Sequence, residues 1–198
     1  MKKIILSYTT INNYHISHHS WLNKMLGVKV PETEAMTSGK VAHQIIQAHC
    51  LGKKKSPRLS ELTWDFTDAE KHILKPYNEK FTLHGYLDLI NYASKTIGEI
   101  KTSKTPWSQS RFNELVQWKY YSLVSGFRKV LFITCKPDLS GLKTFYTAVS
   151  DEDIREAEKW VKEAIVGIEG GHFKEDLTPD GFCNNPMCPY KENCHFRI

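Results

Sequence analysis

Between residues 80 and 102 the chain carries two β-rich apolar runs, KFTLHGYLDLI and IGEIKT, joined by a short polar turn. Runs of this kind pair as neighbouring strands, so the middle of the chain is committed to a sheet. The runs are unusual in their charges. Asp88 lies in the first, and Glu99 and Lys101 lie in the second, among Leu87, Leu89, Ile90, Ile97 and Ile100. Side chains alternate along a strand, so Glu99 and Lys101 share a face, Ile100 takes the other, and Asp88 shares its face with His84 and Tyr86. Pairing that sets Asp88 beside Glu99 brings two carboxylates and an ammonium to one place. Such carboxylates repel unless a cation lies between them. Hard oxygen donors with open positions suit Mg²⁺ or Mn²⁺. A lysine beside such an ion can orient an attacking water or stabilise a developing phosphorane. The plainer alternative is a solvated strand face with an ordinary salt bridge.

The remaining chain reads as helices around that sheet. The spacing of Ile11, Tyr14, Trp21, Leu22 and Met25 predicts a helix over 9–26, with His18 on the same face. A second helix is expected over 34–50, with Ala35, Ala42, Ile45 and Ile46 inward. A strand is expected near 60–66. Pro106 breaks the chain, and Ser108 or Ser110 caps a helix over about 110–126. KVLFITCK at 129–136 is the short apolar run of a central strand, and LKTFYTAVS at 142–150 pairs with it across a PDLSG turn. Asp151 is expected to cap a last helix to about Ile168. The order of elements predicts a mixed α/β domain.

Net charge is +5, which suits a polyanionic partner, and no stretch has the apolar length of a membrane span. The opening MKKIILSYTT is too short in apolar residues for a secretory signal, so a cytoplasmic protein is expected. GKKKSPR at 52–58 reads as a loop. Cys50 and Cys135 stand alone and read as buried thiols, whereas Cys183, Cys188 and Cys194 crowd the C-terminal tail. In an intracellular chain such a cluster points to a metal more than to disulfides.

Five segments, in order along the chain, resemble the PD-(D/E)XK nuclease superfamily. The branch is that of the RecB and AddB nuclease domains and the CRISPR-associated RecB-like exonuclease. LSYTTINNY at 6–14 is similar to the segment leading the first helix, and SGKVAHQIIQ at 38–47 to the glycine-x-x-x-histidine helix. HGYLDLI, GEIKTSK and QWKYY are similar to the aspartate strand, the acid-x-lysine strand and the glutamine-x-x-x-tyrosine helix. The resemblance implies a restriction-endonuclease-like core, a mixed central sheet flanked by helices. It implies Mg²⁺ or Mn²⁺ held by His43, Asp88, Glu99 and the Ile100 carbonyl, with Lys101 as catalytic lysine and Gln117 and Tyr121 as its partners. Lys104, Trp107, Arg111 and Lys119 are the expected contacts to nucleic acid, gripping phosphates and stacking on bases.

The tail GFCNNPMCPYKENCHF is similar to the iron–sulfur module that closes many of these nucleases. Four residues separate Cys183 from Cys188, wider than the family's spacing, and the first helix has no cysteine. His18, His19 or His195 is left as the fourth ligand to the three cysteines. An iron–sulfur cluster and Zn²⁺ are both compatible with that set. The expected organisation is a nuclease core over 1–173 and a cysteine-rich metal-binding tail over 174–198, packed on the first helix. The implied function is a DNA exonuclease acting on single strands or duplex ends in recombination, repair, CRISPR or phage DNA processing, alone or within a larger complex. A structure-selective endonuclease and a catalytically idle nucleic-acid-binding scaffold are the alternatives.

Overall fold

The computed structural model describes residues 3–172 and Cys188. Six strands form one mixed sheet: β1 (Ile4–Ser7), β2 (Asp68–Pro76), β3 (Phe81–Asn91), β4 (Thr96–Thr102), β5 (Lys129–Cys135) and β6 (Lys143–Ala148). The helices are α1 (Tyr8–Ile16), α2 (His18–Met25), α3 (Glu34–Cys50), α4 (Gln109–Asn113), α5 (Val116–Ser125) and α6 (Asp151–Glu169). No described helix is long and apolar enough to cross a membrane.

The expected strands over 80–92, 97–102, 129–136 and 142–150 form, and β5 is central as its apolar run required. Val130 and Phe132 face a cluster with Ile97, Phe112 and Trp118, while Leu131 and Ile133 face the opposite cluster with Ala42 and Ile46. Both faces are buried, so every residue but the first is apolar or a buried threonine. Ile100 lies in the α3 cluster, opposite in facing to Glu99 and Lys101 as alternation demands.

Several elements depart from expectation. The helix expected over 9–26 is two helices. Ser17 is extended (φ −162°, ψ 123°); its N–H closes α1 on the Asn13 carbonyl, and its hydroxyl accepts from the Ser20 N–H to start α2. A serine offers the backbone that alternative to a continuous helix. The helix over 110–126 likewise divides, because Leu115 is extended between α4 and α5. Ser108, not Ser110, caps α4. Ser150, not Asp151, caps α6, exchanging hydrogen bonds with Asp153 in a capping box.

No strand forms over 60–66. Leu59, at the end of a 3-10 turn (Pro57–Leu59), and Leu62 and Phe66, in irregular chain, bury in the cluster of α3, and the pairing is taken by β2, whose polar sequence hides it. Nor are Ala35 and Ile45 inward. Both are exposed, and α3 instead buries Gln47 and His49 beside Ala42, Ile46 and Cys50.

The partners of β3 decide where a site can form. β2 runs antiparallel along one whole edge, from Pro76↔Thr82 to Asp68↔Ile90. The other edge is therefore shared: β1 takes Phe81–His84 in parallel, and β4 takes Leu89–Asn91 in antiparallel. Between these stretches β3 lacks a strand partner on that edge. The Tyr120 hydroxyl lies 2.9 Å from the Leu6 and His84 carbonyls in the gap. Leu87 packs with Ile97, Leu89 with Ile46, and Ile90 again with Ile97. The facing thus slips by one residue across Asp88, the kind of irregularity that re-aims a side chain.

Candidate active site

The fork in β3 collects charged and polar groups from four elements. β4 brings Glu99 and Lys101, β3 brings Asp88, α3 brings His43, and α5 brings Gln117 and Tyr121. The β3–β4 ladder ends at Leu89↔Gly98, so Asp88 and Glu99 face each other one step beyond it. There the Asp88 carboxylate replaces a strand partner, with Oδ2 accepting the Ile100 N–H at 2.8 Å.

Lys101 Nζ lies 2.6 Å from Glu99 Oε1 and donates to Gln117 Oε1 at 2.7 Å. Gln117 Nε2 donates in turn to the Tyr121 hydroxyl at 3.1 Å. Gln117 and Tyr121 are stacked on one helix face by their four-residue spacing. His43 Nδ1 is 4.0 Å from Asp88 Oδ2, within electrostatic reach and beyond a hydrogen bond.

Glycines allow two of these approaches. A Cβ on Gly39 would stand 3.0 Å from Thr102 Oγ1, so glycine lets α3 settle on the end of β4. A Cβ on Gly85 would stand 2.9 Å from Tyr121 Cε1, and the ring could not lie against β3. Gly85→Ala should therefore cost about 1–3 kcal/mol by overpacking. A fall in Tm is the expected result; an unchanged Tm would refute this role for the glycine.

The electrostatics follow from crowding. Burial pushes the Asp88 carboxyl up, and the neighbouring Glu99 pushes it further, against the opposing pull of the Ile100 N–H and Lys101. Burial and the Lys101 charge lower His43, which favours the neutral imidazole that a metal needs. Burial works against the Lys101 ammonium, but Glu99 and Asp88 outweigh it and its pKa is raised. Lys101 is thus a fixed cation. Burial also raises the Tyr121 phenol, which stays a neutral hydroxyl.

Three further residues belong here that the motifs did not reveal. Glu70 stands opposite Asp88 but drops out of the β2–β3 ladder, with φ 51° in the left-handed region. Gln47 donates to Glu70 Oε1 at 2.6 Å and to the Asp88 carbonyl at 3.1 Å. Tyr8 is close enough for Lys101 and Glu99 to act on its hydroxyl. Gln47 was detectable, being four residues from His43 on the same helix face. Glu70 was not, since only the β2 pairing places it.

The donors at the fork suit a divalent cation. Glu99 is 2% exposed, and its Oε2 is buried without a hydrogen-bond partner. A buried carboxylate oxygen left so is costly unless a cation answers it. Three carboxylates and a neutral imidazole around one ammonium leave net negative charge, which fits such an ion. Among the described residues, no three His, Cys, Asp or Glu side chains meet as a finished ligand set. Instead Lys101 holds Glu99 Oε1 and the Ile100 N–H holds Asp88 Oδ2.

The expected nucleic-acid contacts divide. Lys104 is exposed beyond β4, and Arg111 lies 3.9 Å over the Trp107 ring, a cation–π pair near the same strand end. Lys119 does not join them. It is 9% exposed and bridges α5 to α6 through Asp153, at 3.2 Å, and Glu156. Its helix face turns to α6 because Asp153 and Glu156 neutralise it there. Lys119→Met should lower stability by about 1 kcal/mol, which melting curves check.

Of the expected tail ligands, Cys183, Cys194 and His195 lie outside the described residues. Cys188 is a free, half-buried thiol. His18 is half-buried and stacked on Tyr14 with centroids 4.5 Å apart, and His19 is buried.

The chain matches no family model and no curated protein. Its fold, a mixed sheet between helices, is one shared with exonucleases. The structure of SSO0001 matches with TM-score 0.62 at 14% identity, covering 100% of this chain and 89% of that one. The alkaline exonuclease LHK-Exo of Laribacter hongkongensis matches in its complex with dAMP with TM-score 0.56 at 14% identity. That match covers 84% of this chain and 88% of the other. At such identity the shared property is the fold.

Proposed function

We propose that this chain is a divalent-metal-dependent DNA nuclease that hydrolyses phosphodiester bonds, working as an exonuclease on single strands or duplex ends. The observation that carries this reading is Glu99 Oε2, buried and unpartnered beside Asp88, with a neutral imidazole and a fixed ammonium on either side. A purely structural sheet gains nothing from that arrangement, because two adjacent carboxylates share one ammonium and one buried carboxylate oxygen is left without a partner, which costs stability. The exonuclease fold of LHK-Exo, seen with dAMP, supports the choice of substrate.

His43, Asp88, Glu99 and the Ile100 carbonyl would hold Mg²⁺ or Mn²⁺. An extended residue projects its N–H and C=O to the same side, so the Ile100 carbonyl faces the neighbour whose carboxylate takes its N–H. When bound, the ion supplies Lewis-acid polarisation of the phosphate and a more acidic water. Lys101, kept charged by Glu99 and aimed by Gln117, orients the nucleophile and offers positive charge to the phosphorane. Tyr121 holds Gln117 in place, and Gln47 steadies the Asp88 backbone. Trp107, Arg111 and Lys104 lie where they can meet the strand beyond Lys101. Cys183, Cys188 and Cys194, with His18, His19 or His195, would hold a structural iron–sulfur cluster or Zn²⁺; the metal content and colour of the purified protein separate the two.

Digestion of end-labelled linear and circular DNA in Mg²⁺, Mn²⁺ or chelator tests the reading. Metal-dependent loss of linear DNA with intact circles is expected. Cleavage of circles would replace the exonuclease with an endonuclease, and no cleavage in any metal would remove the enzyme.

A further inference from the structure

Beside the fork, the outer face of the β2–β3 ribbon carries three ring side chains that no step above uses. His72 pairs with Tyr86 across the strands, and their rings stack with centroids 4.6 Å apart and planes 18° from parallel. His84 closes the group edge-on, 5.3 Å from His72 and 6.1 Å from Tyr86. His72 Nε2 and His84 Nδ1 are in hydrogen-bond contact at 3.2 Å. Leu74, opposite His84, extends the patch. The patch is open to solvent: Tyr86 is 53% exposed and Leu74 57%.

Its position matters more than its composition. His84 and Tyr86 on β3 share a face with Leu74 and His72 on β2, and that face ends at Asp88 and Glu70, where the alternation of the ribbon breaks. At about 3.3 Å per residue, Tyr86 lies roughly 7 Å along the strand from the carboxylate that opens the site. Rings side by side on a strand face form the kind of platform on which unpaired bases stack irrespective of sequence. A paired base has both its faces covered by neighbours and gains nothing there. Burial and the neighbouring His72 lower the His84 pKa, favouring an uncharged imidazole.

We propose that His72, His84 and Tyr86 form a stacking platform for the unpaired bases of a single strand, laying its backbone toward Asp88 and Glu99. This rests on the nuclease reading and adds to it a preference for unpaired over paired ends. The platform belongs to the binding of the strand and not to the chemistry.

The test is fluorescence anisotropy of a labelled oligothymidine and a labelled blunt duplex, on the full chain in chelator, with cleavage assayed separately in Mn²⁺. The double substitution Tyr86→Ala with His72→Ala should weaken single-strand binding by about ten- to a hundred-fold, and duplex binding by less than about three-fold. Tyr86→Phe, which keeps the ring, should restore most of the affinity. The melting temperature should barely move, because the rings are exposed. Equal losses for both DNA forms, or none for either, would overturn the platform. Wild-type protein that binds single strands through these rings yet cuts nothing would sink the nuclease reading instead and leave the platform standing.

Discussion

Lys101→Met is expected to slow DNA cleavage by about 10²–10³-fold or more, the scale of losing one aimed charge at a phosphorane. The ammonium touches Glu99 Oε1 at 2.6 Å and Gln117 Oε1 at 2.7 Å, so two side chains fix its position. Arginine will not rescue it, since a planar fork cannot occupy a place shaped for a compact charge. The variant should also melt earlier. Glu99, 2% exposed, loses its cation, and an orphaned buried acceptor costs about 1–3 kcal/mol. At roughly 2–4 °C per kcal/mol for a chain of this size, the shift is easily measured. Cleavage at the wild-type rate would end the proposed chemistry.

Asp88→Asn should also abolish cleavage, but with the opposite effect on stability. The amide oxygen can still accept the Ile100 N–H that Asp88 now takes at 2.8 Å. What disappears is a carboxylate that burial and Glu99 both work against. In chelator the variant should therefore melt a few degrees higher than wild type, the usual sign of a site that trades stability for activity. Adding Mn²⁺ should raise the wild-type Tm, because an ion that binds only the folded state stabilises it. The variant should respond much less. A lower Tm for Asp88→Asn in chelator would mean that the carboxylate is structural and the reading of the fork mistaken. The two substitutions give the same sign in activity and opposite signs in stability, which no general loss of folding can imitate.

The acid-x-lysine strand was legible because alternation along a strand is a local rule: Glu99 and Lys101 had to share a face once the segment was extended. Gln117 and Tyr121 were legible because a four-residue step on a helix is equally local. Glu70 was invisible. It sits in a polar run with no period, and only pairing with β3 sets it opposite Asp88. The ion pairs of Lys119 were invisible for the same reason, because Asp153 and Glu156 lie far along the chain.

By itself the sequence determined the strands that carry charge, the helix of His43 and the spacing of each motif, all of which depend on backbone periods over a few residues. Tertiary structure alone decided that β1 and β4 share one edge of β3. It alone opened the gap where Asp88 replaces a strand partner, and it alone brought Glu70 and Tyr8 to the same place. Those outcomes depend on which distant segments compete for an edge, and no local period carries that information.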